Sequence, residues 1–446
     1  MSSSPKSVQP HEIFDRLFRP DKLTQLFENK VAQSRAVGRD GIKIDSFKKN
    51  LISEVELIRK KVFSDTYKFT RYKERLISKG AAKNPRVLSI PTFRDRLTLR
   101  ALCEFLSAVY PNEGVVKPHK YIKDIKNIIS EMDSSFCFVR IDIVNYYPSI
   151  KIDHLIRIIR RRIRKPQVIS LIRKALTTPT TGDKEIDRGV PQGLSISNIL
   201  SSIYLNDLDD KLNQDWVYFR YVDDILIICD ETKAKIAYNS VRAALEDKGL
   251  TCHELGKTSK TCIRNSEEGV DYLGFHINAR LVSIRESSYK KMFATILNVF
   301  TEYKYRSNER RLIWKVNLKI TGCIFNGTRY GWLFFFNQTD NLSQLARLDK
   351  FLRDKRRHFG LTSGTAKIKR FVKAYHELRY NLYETKYIPN FDTFTIQDMK
   401  TAIQDAFGIG DEEINLMEDA EIRERFFSMV KKEVSDLDKD LFEFFS

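Results

Sequence analysis

The 446-residue chain lacks the marks of several protein classes. No uninterrupted apolar run approaches the roughly 18 residues a membrane-spanning helix needs. The densest apolar stretches, Ile225–Cys229 and Trp332–Phe336, are strand-sized, so no membrane partner is expected. Cysteine is scarce: the six residues at 103, 137, 229, 252, 262 and 323 include no CxxC pair. Such spacing offers neither a disulfide framework nor a zinc site, and the thiols read as reduced core residues of a cytoplasmic protein. The amino terminus carries three serines and Pro5 but not the basic-then-apolar profile of a secretory signal. No internal repeat is evident, which removes solenoids and propellers.

What the chain has in excess is positive charge. Lysine and arginine number 77 against 58 carboxylates, a net +19. The excess is unevenly placed, because residues 401–446 hold 13 acidic and five basic side chains, leaving +27 on the first 400. A polyanion, most simply nucleic acid, is the partner such a body attracts. The acidic tail keeps helical apolar spacing at Ile414, Met417, Ile422, Phe426, Phe427 and Val430, so it is expected to fold, either as a solvated helix pair or as a surface for the basic body or a partner.

Proline and glycine punctuation divides the chain into blocks. A helical lead covers residues 10–32, a turn Val37–Gly41 and a helix Phe47–Lys61. Strand Arg86–Ile90 precedes helix Leu97–Val109, and strand Phe136–Ile143 precedes helix Ile152–Ile163. Helix Ser195–Leu208 leads into two strands, Val217–Arg220 and Ile225–Cys229, around a tight turn. Helix Ala234–Asp247 and strand Tyr272–Ile277 follow, and from about residue 288 the pattern is mostly helical. This is an α+β core between helical modules.

Three carboxylates stand out in that core: Asp142 in FVRIDIVNYYPSI, and Asp223 with Asp224 in FRYVDDILII. Each sits at the end of, or in a turn between, strongly apolar β-type segments. An ionised carboxylate there needs a partner charge. Adjacent aspartates in a turn are common, since Asp favours turns. A neighbouring strand bringing Asp142 alongside would instead gather hard oxygen ligands of the kind magnesium takes, and two such ions form a clamp for in-line displacement at phosphorus.

These blocks together resemble the bacterial reverse transcriptases of the group II intron and retron type, over roughly residues 35–360. The Y-x-D-D box is Tyr221–Asp224, and the preceding aspartate block is Asp142–Ile143 followed by Tyr146–Tyr147. Between them lies Gly189–Ser197, reading GVPQGLSIS. Upstream are Arg86–Pro91 with Asp95–Arg96 and the glycine turn Val37–Gly41; downstream, Tyr272–Phe275 resembles the primer-grip hairpin. The resemblance implies a right-hand polymerase, with fingers at 35–135, a palm of antiparallel sheet plus helices at 136–285 and a helical thumb at 286–360. A helical lead at 1–34 precedes these, and a helical C-terminal region at 361–446 follows.

It also implies roles. Asp142, the Ile143 carbonyl and Asp223 would bind two Mg²⁺ ions, with Mn²⁺ as a possible substitute, and Asp224 would complete the acidic cluster. Tyr147 would be the bulky gate under the incoming sugar, unless it is simply a core tyrosine. Gln192 and Gly193 would lie along the nucleotide, where glycine admits close backbone approach. Arg86, and less strongly Lys83, would grip the triphosphate of the dNTP. In Leu255–Thr261 a lysine protonating the leaving pyrophosphate is implied; Lys257 is preferred, with Lys260 as an alternative register. Tyr272 and Gly274 would contact nucleic acid.

Arg157, Arg160, Arg161 and Arg164 load one helix with cations that either line a nucleic-acid channel or form a solvated face. The implied partners are an RNA template, nascent DNA and dNTPs, with a protein partner or a second copy possible through the C-terminal region. Past residue 360 no RNase H acidic set, HNH nuclease or zinc knuckle is evident, and the Asn-Ala-x-x-His box of retron enzymes is missing. By elimination the chain is similar to defence-associated enzymes that act against phage with a non-coding RNA. Rival readings are template-independent or protein-primed synthesis on the same palm, and a non-catalytic RNA-binding scaffold.

Overall fold

The computed structural model describes residues 9–32, 34, 36–77, 85–113, 117–132, 135–180, 187–306, 308–361 and 367–445. Lys83 falls outside them. The chain divides into two compact units, one built from Met1–Val116 and Phe136–Ile263, the other from Lys117–Ser135 and Arg264–Ser446. The fold is α+β, as the sequence blocks imply.

In the first unit, β1 (Lys73–Ile77) pairs antiparallel with β2 (Arg86–Ile90). A four-stranded sheet follows the order β4 (Val217–Tyr221), β5 (Asp224–Asp230), β3 (Phe136–Asp142), β6 (Cys262–Asn265). β5 runs antiparallel to both β3 and β4. β3 and β5 are apolar along nearly their whole length because both faces are covered. Helix Ala234–Asp247 packs against both strands, burying Ala237, Val241 and Leu245.

Helix Phe93–Val109 starts at Thr92, whose hydroxyl accepts from the Asp95 N–H at 3.2 Å. Arg96 on its first turn donates to the carbonyls of Ala36 (2.9 Å) and Pro91 (3.1 Å) and to Ser34 (3.0 Å). It thereby straps the glycine turn to the helix start. A Cβ on Gly38 would lie 2.6 Å from the Thr92 Cα, so only glycine permits that approach.

In the second unit, β7 (Val270–Tyr272), β8 (Phe275–Ile277) and β9 (Val282–Ile284) form an antiparallel meander. The single strand expected over Tyr272–Ile277 is thus a hairpin. Leu273 and Gly274 take φ of 48° and 85°, which reverses the chain at their peptide. A second short hairpin, β10 (Cys323–Phe325) with β11 (Thr328–Tyr330), turns on Asn326–Gly327, both at positive φ. This interrupts the helical pattern expected beyond 288; the Asn-Gly pair was its signal.

Helices Pro118–Ser130 and Pro166–Thr177, each with Pro at its first position, are further elements that the sequence blocks omit. The acidic tail folds as expected: helices Ile396–Phe407 and Asp419–Phe445 share a core of Met399, Ile403, Phe426 and Val430. No helix among the described residues is long and apolar enough to cross a membrane.

Candidate active site

The three acids converge in the first unit. Antiparallel pairing puts Asp142, the last residue of β3, directly opposite Asp224, the first of β5. Residues so paired project to the same face. Tyr221 pairs with Asp224 in turn, leaving Val222 and Asp223 as a two-residue loop between β4 and β5. The loop is tied to β3 by the Ile143 N–H, which donates to the Asp223 carbonyl at 2.9 Å.

Each carboxylate has a different environment. Burial, and then the Asp142 charge, raise the pKa of Asp223 above the ordinary carboxylate range, with Lys260 and Arg86 acting against the shift. Burial pushes Asp224 up to about 6, even though Arg140 opposes this most strongly. Arg140, two residues before Asp142, grips both Asp224 oxygens, from Nε at 2.8 Å and a terminal nitrogen at 2.9 Å. Asp142 meets the Lys260 ammonium at 3.0 and 3.3 Å and His253 Nε2 at 3.2 Å, while its N–H donates to Thr261 Oγ1 at 3.2 Å.

Among the described residues no group of three or more His, Cys, Asp and Glu side chains is arranged to hold a metal. Asp224 is committed to the Arg140 guanidinium. Asp142, Asp223 and the Ile143 carbonyl are oxygen donors of the hard type, and Asp142 already carries the Lys260 ammonium.

The turn that carries Asp223 is strained. Val222 has φ 59°, a left-handed conformation costly for a β-branched side chain. Arg220 steadies it by donating to the Val222 carbonyl at 3.0 Å. The guanidinium is itself held by Asp209 on helix Ser197–Asp215, through Nε at 2.7 Å and a second terminal bond.

Tyr147, on the short helix Tyr146–Ser149, donates its hydroxyl to Asn198 Oδ1 at 2.7 Å. Burial raises its pKa; the charge of Asp223 adds to the shift and that of Arg86 opposes it, so both charges lie within electrostatic reach of its hydroxyl. Arg86 is exposed at the start of β2. The Gln192 carbonyl accepts from the Ser89 N–H of that strand at 2.7 Å, and Gly193, at φ 102°, would set a Cβ 3.0 Å from the Ser89 carbonyl oxygen. The structure therefore brings together Asp142, Ile143, Asp223, Asp224 and Lys260, with Tyr147 and Arg86 beside Asp223.

Lys257 is exposed on the loop Leu255–Thr261, three residues before Lys260, whose ammonium reaches Asp142. Arg157, Arg160, Arg161 and Arg164 are exposed, but only the first two lie on helix Ile152–Arg160, whose buried face is Ile152, Leu155, Ile156 and Ile159; Arg161 and Arg164 follow its end. In the second unit the Tyr272 ring is buried at 1% exposure, and Gly274 is buried beside it, where a Cβ would lie 3.3 Å from the Phe336 ring.

Arg140, Arg220, Asp209 and His253 are missing from the sequence reading. A signal existed for the arginines, because each interrupts an apolar strand beside an acid and a buried guanidinium needs a carboxylate.

Residues 77–277 match the family described as reverse transcriptase (RNA-dependent DNA polymerase). An uncharacterised 91 kDa protein in a cob intron of Schizosaccharomyces pombe is 27% identical over 215 residues, 45% of this chain and 26% of that protein. The group II intron-encoded protein LtrA of Lactococcus lactis is 28% identical over 215 residues, 44% of this chain and 35% of that one. Protein YkfC of Escherichia coli is 24% identical over 346 residues, 65% of this chain and 87% of its own length. The chain thus spans about a quarter of the yeast relative and a third of LtrA. A solved structure of Candida albicans telomerase with a fragment of telomeric RNA aligns at a TM-score of 0.44 and 14% identity, over 84% of this chain and 69% of that one.

Proposed function

We propose that this chain, whose residues 77–277 match the reverse transcriptase family, is an RNA-directed DNA polymerase that adds deoxynucleotides to a primer 3′-hydroxyl on an RNA template. The observation that carries this reading is the strand register that sets Asp142 against Asp224 and delivers Asp223 on the connecting turn. In this reading the fingers comprise 35–135, the palm 136–285, the thumb 286–360, and 361–446 a helical C-terminal region.

Asp142, Asp223 and the Ile143 carbonyl hold divalent cations, magnesium by the hardness of the donors, and Asp224 adds negative charge while anchored on Arg140. When bound, such ions neutralise charge on the reacting phosphate and acidify the primer hydroxyl. Arg86 binds the triphosphate. Of the two candidate lysines, Lys260 takes the role of proton donor to the leaving pyrophosphate, supported by its contact with Asp142. Tyr147 lies under the incoming sugar, supported by its closeness to Asp223 and Arg86.

The test is extension of a DNA primer annealed to RNA by the purified chain with dNTPs and magnesium. Template-dependent product is expected, and a chain that never lengthens the primer would end the proposal. Product formed equally without template would replace it by untemplated synthesis. Tyr147→Ala is expected to lower discrimination against ribonucleotides by roughly 10–100-fold, whereas Tyr147→Phe keeps the ring and the selectivity. Unaltered selectivity in Tyr147→Ala would remove the gate. The proposal also includes a non-coding RNA partner in antiphage defence, of which the +27 charge of the first 400 residues supports the polyanion alone.

A further inference from the structure

Helix Phe371–Tyr380 of the second unit has two unlike faces. Phe371, Ala374, Tyr375 and Leu378 are buried, whereas Lys373, His376 and Tyr380, spaced three and four residues apart, form one exposed stripe. The stripe continues into the turn that follows, where Tyr383 is 90% exposed; Tyr380 is 74% exposed. The His376 and Tyr380 rings lie nearly parallel, 22° apart with centroids at 6.0 Å.

Cations line the same surface. Arg329 on β11 sits 5.9 Å from the Tyr383 ring centroid and donates to its hydroxyl at 3.2 Å. The Tyr387 ring is faced by the ammonium groups of Lys369 (5.1 Å) and Lys373 (4.8 Å). Glu377 is the nearby acid on the helix, and Asn381 donates to its carboxylate at 3.1 Å.

Open tyrosine rings cost solvation, and a protein-docking patch would surround them with aliphatic side chains. Within 371–390 the exposed large hydrophobic residues are these two tyrosines, set among cations. Rings alternating with positive charge match a strand whose bases offer π-faces and whose backbone offers phosphates. We propose that Lys373, His376, Tyr380, Tyr383 and Arg329 form a platform for single-stranded nucleic acid, outside the family-matched residues 77–277. The rings stack on unpaired bases and the cations contact the phosphates between them.

The test measures anisotropy of a fluorescein-labelled oligouridylate on the full chain, with excess unlabelled RNA–DNA primer–template present to occupy a polymerase site. Tyr380→Ala with Tyr383→Ala is expected to weaken binding by about 10–100-fold, the scale of losing one or two base–aromatic stacks. The Tyr380→Phe, Tyr383→Phe pair keeps both π-faces and is expected to bind within about twofold of wild type. Lys373→Ala is expected to reduce the slope of log affinity against log salt by about 0.7, one phosphate contact on a single strand. Because both rings are exposed, thermal melting of the alanine pair should match wild type, which keeps misfolding from imitating the result. Equal affinity of the alanine pair and wild type, or no oligouridylate binding beside the duplex, would overturn the platform. Primer extension is not part of the readout, so a failure here is separate from a failure of the polymerase proposal.

Discussion

Asp223→Ala is expected to lower magnesium-dependent primer extension by a factor of about 10³ or more while leaving the fold intact, and Asp142→Ala to do the same. A factor of 10³ corresponds to about 4 kcal/mol of transition-state stabilisation, the scale of losing a group that holds catalytic charge in place. The fold survives because Asp142 at the end of β3 and Asp223 on the half-buried turn repel one another, so removing either relieves a Coulombic cost.

Asp224→Ala should behave differently. It strands the Arg140 guanidinium, which is only 18% exposed, and stability is expected to fall by about 3 kcal/mol along with activity. Urea denaturation beside primer extension separates the two patterns. An Asp223→Ala protein that extends primers like wild type would remove Asp223 from the chemistry.

Asp209→Ala is expected to be the most destabilising single change near the site, by about 3–5 kcal/mol, because it leaves Arg220 charged and unpaired at 7% exposure. The companion variant, Arg220→Met with Asp209→Leu, removes both charges and is expected to recover most of that loss. Activity should not recover with it. Without Arg220 nothing in this pair donates to the Val222 carbonyl, and the strained turn that presents Asp223 loses a restraint. Denaturation midpoint and single-nucleotide incorporation should therefore part company in the double variant. Full recovery of incorporation together with stability would show that the pair supports only the fold and does not position the turn.

Much of this site is legible in the linear chain. The apolar runs around Asp142 and Asp223–Asp224 mark buried strands, and acids at their ends point to a polar purpose, because an idle buried charge is expensive. The glycine turn at Val37–Gly41 and the Pro-Gln-Gly bend were readable for the same local reason, backbone geometry that few residues allow. The hairpin at Leu273–Gly274 was legible only through the family resemblance of Tyr272–Phe275, since a positive φ at leucine has no local marker. The choice between Lys257 and Lys260 also stayed open, because both satisfy the same short pattern.

The sequence alone therefore determined that the segments around Asp142 and Asp223–Asp224 are buried strands, that two of them meet at a turn, and that each of the three carboxylates lies at a strand end or turn, because periodicity and the cost of buried charge act over a few residues. The tertiary structure alone decided the partners: Asp224 with Arg140 across 84 residues, Asp142 with Lys260 across 118, and Arg220 bridging Asp209 to the turn. Those pairings depend on strand register and on helix packing, in which distant parts of the chain compete for the same carboxylate. No short-range rule ranks such competitors before the chain has closed upon itself.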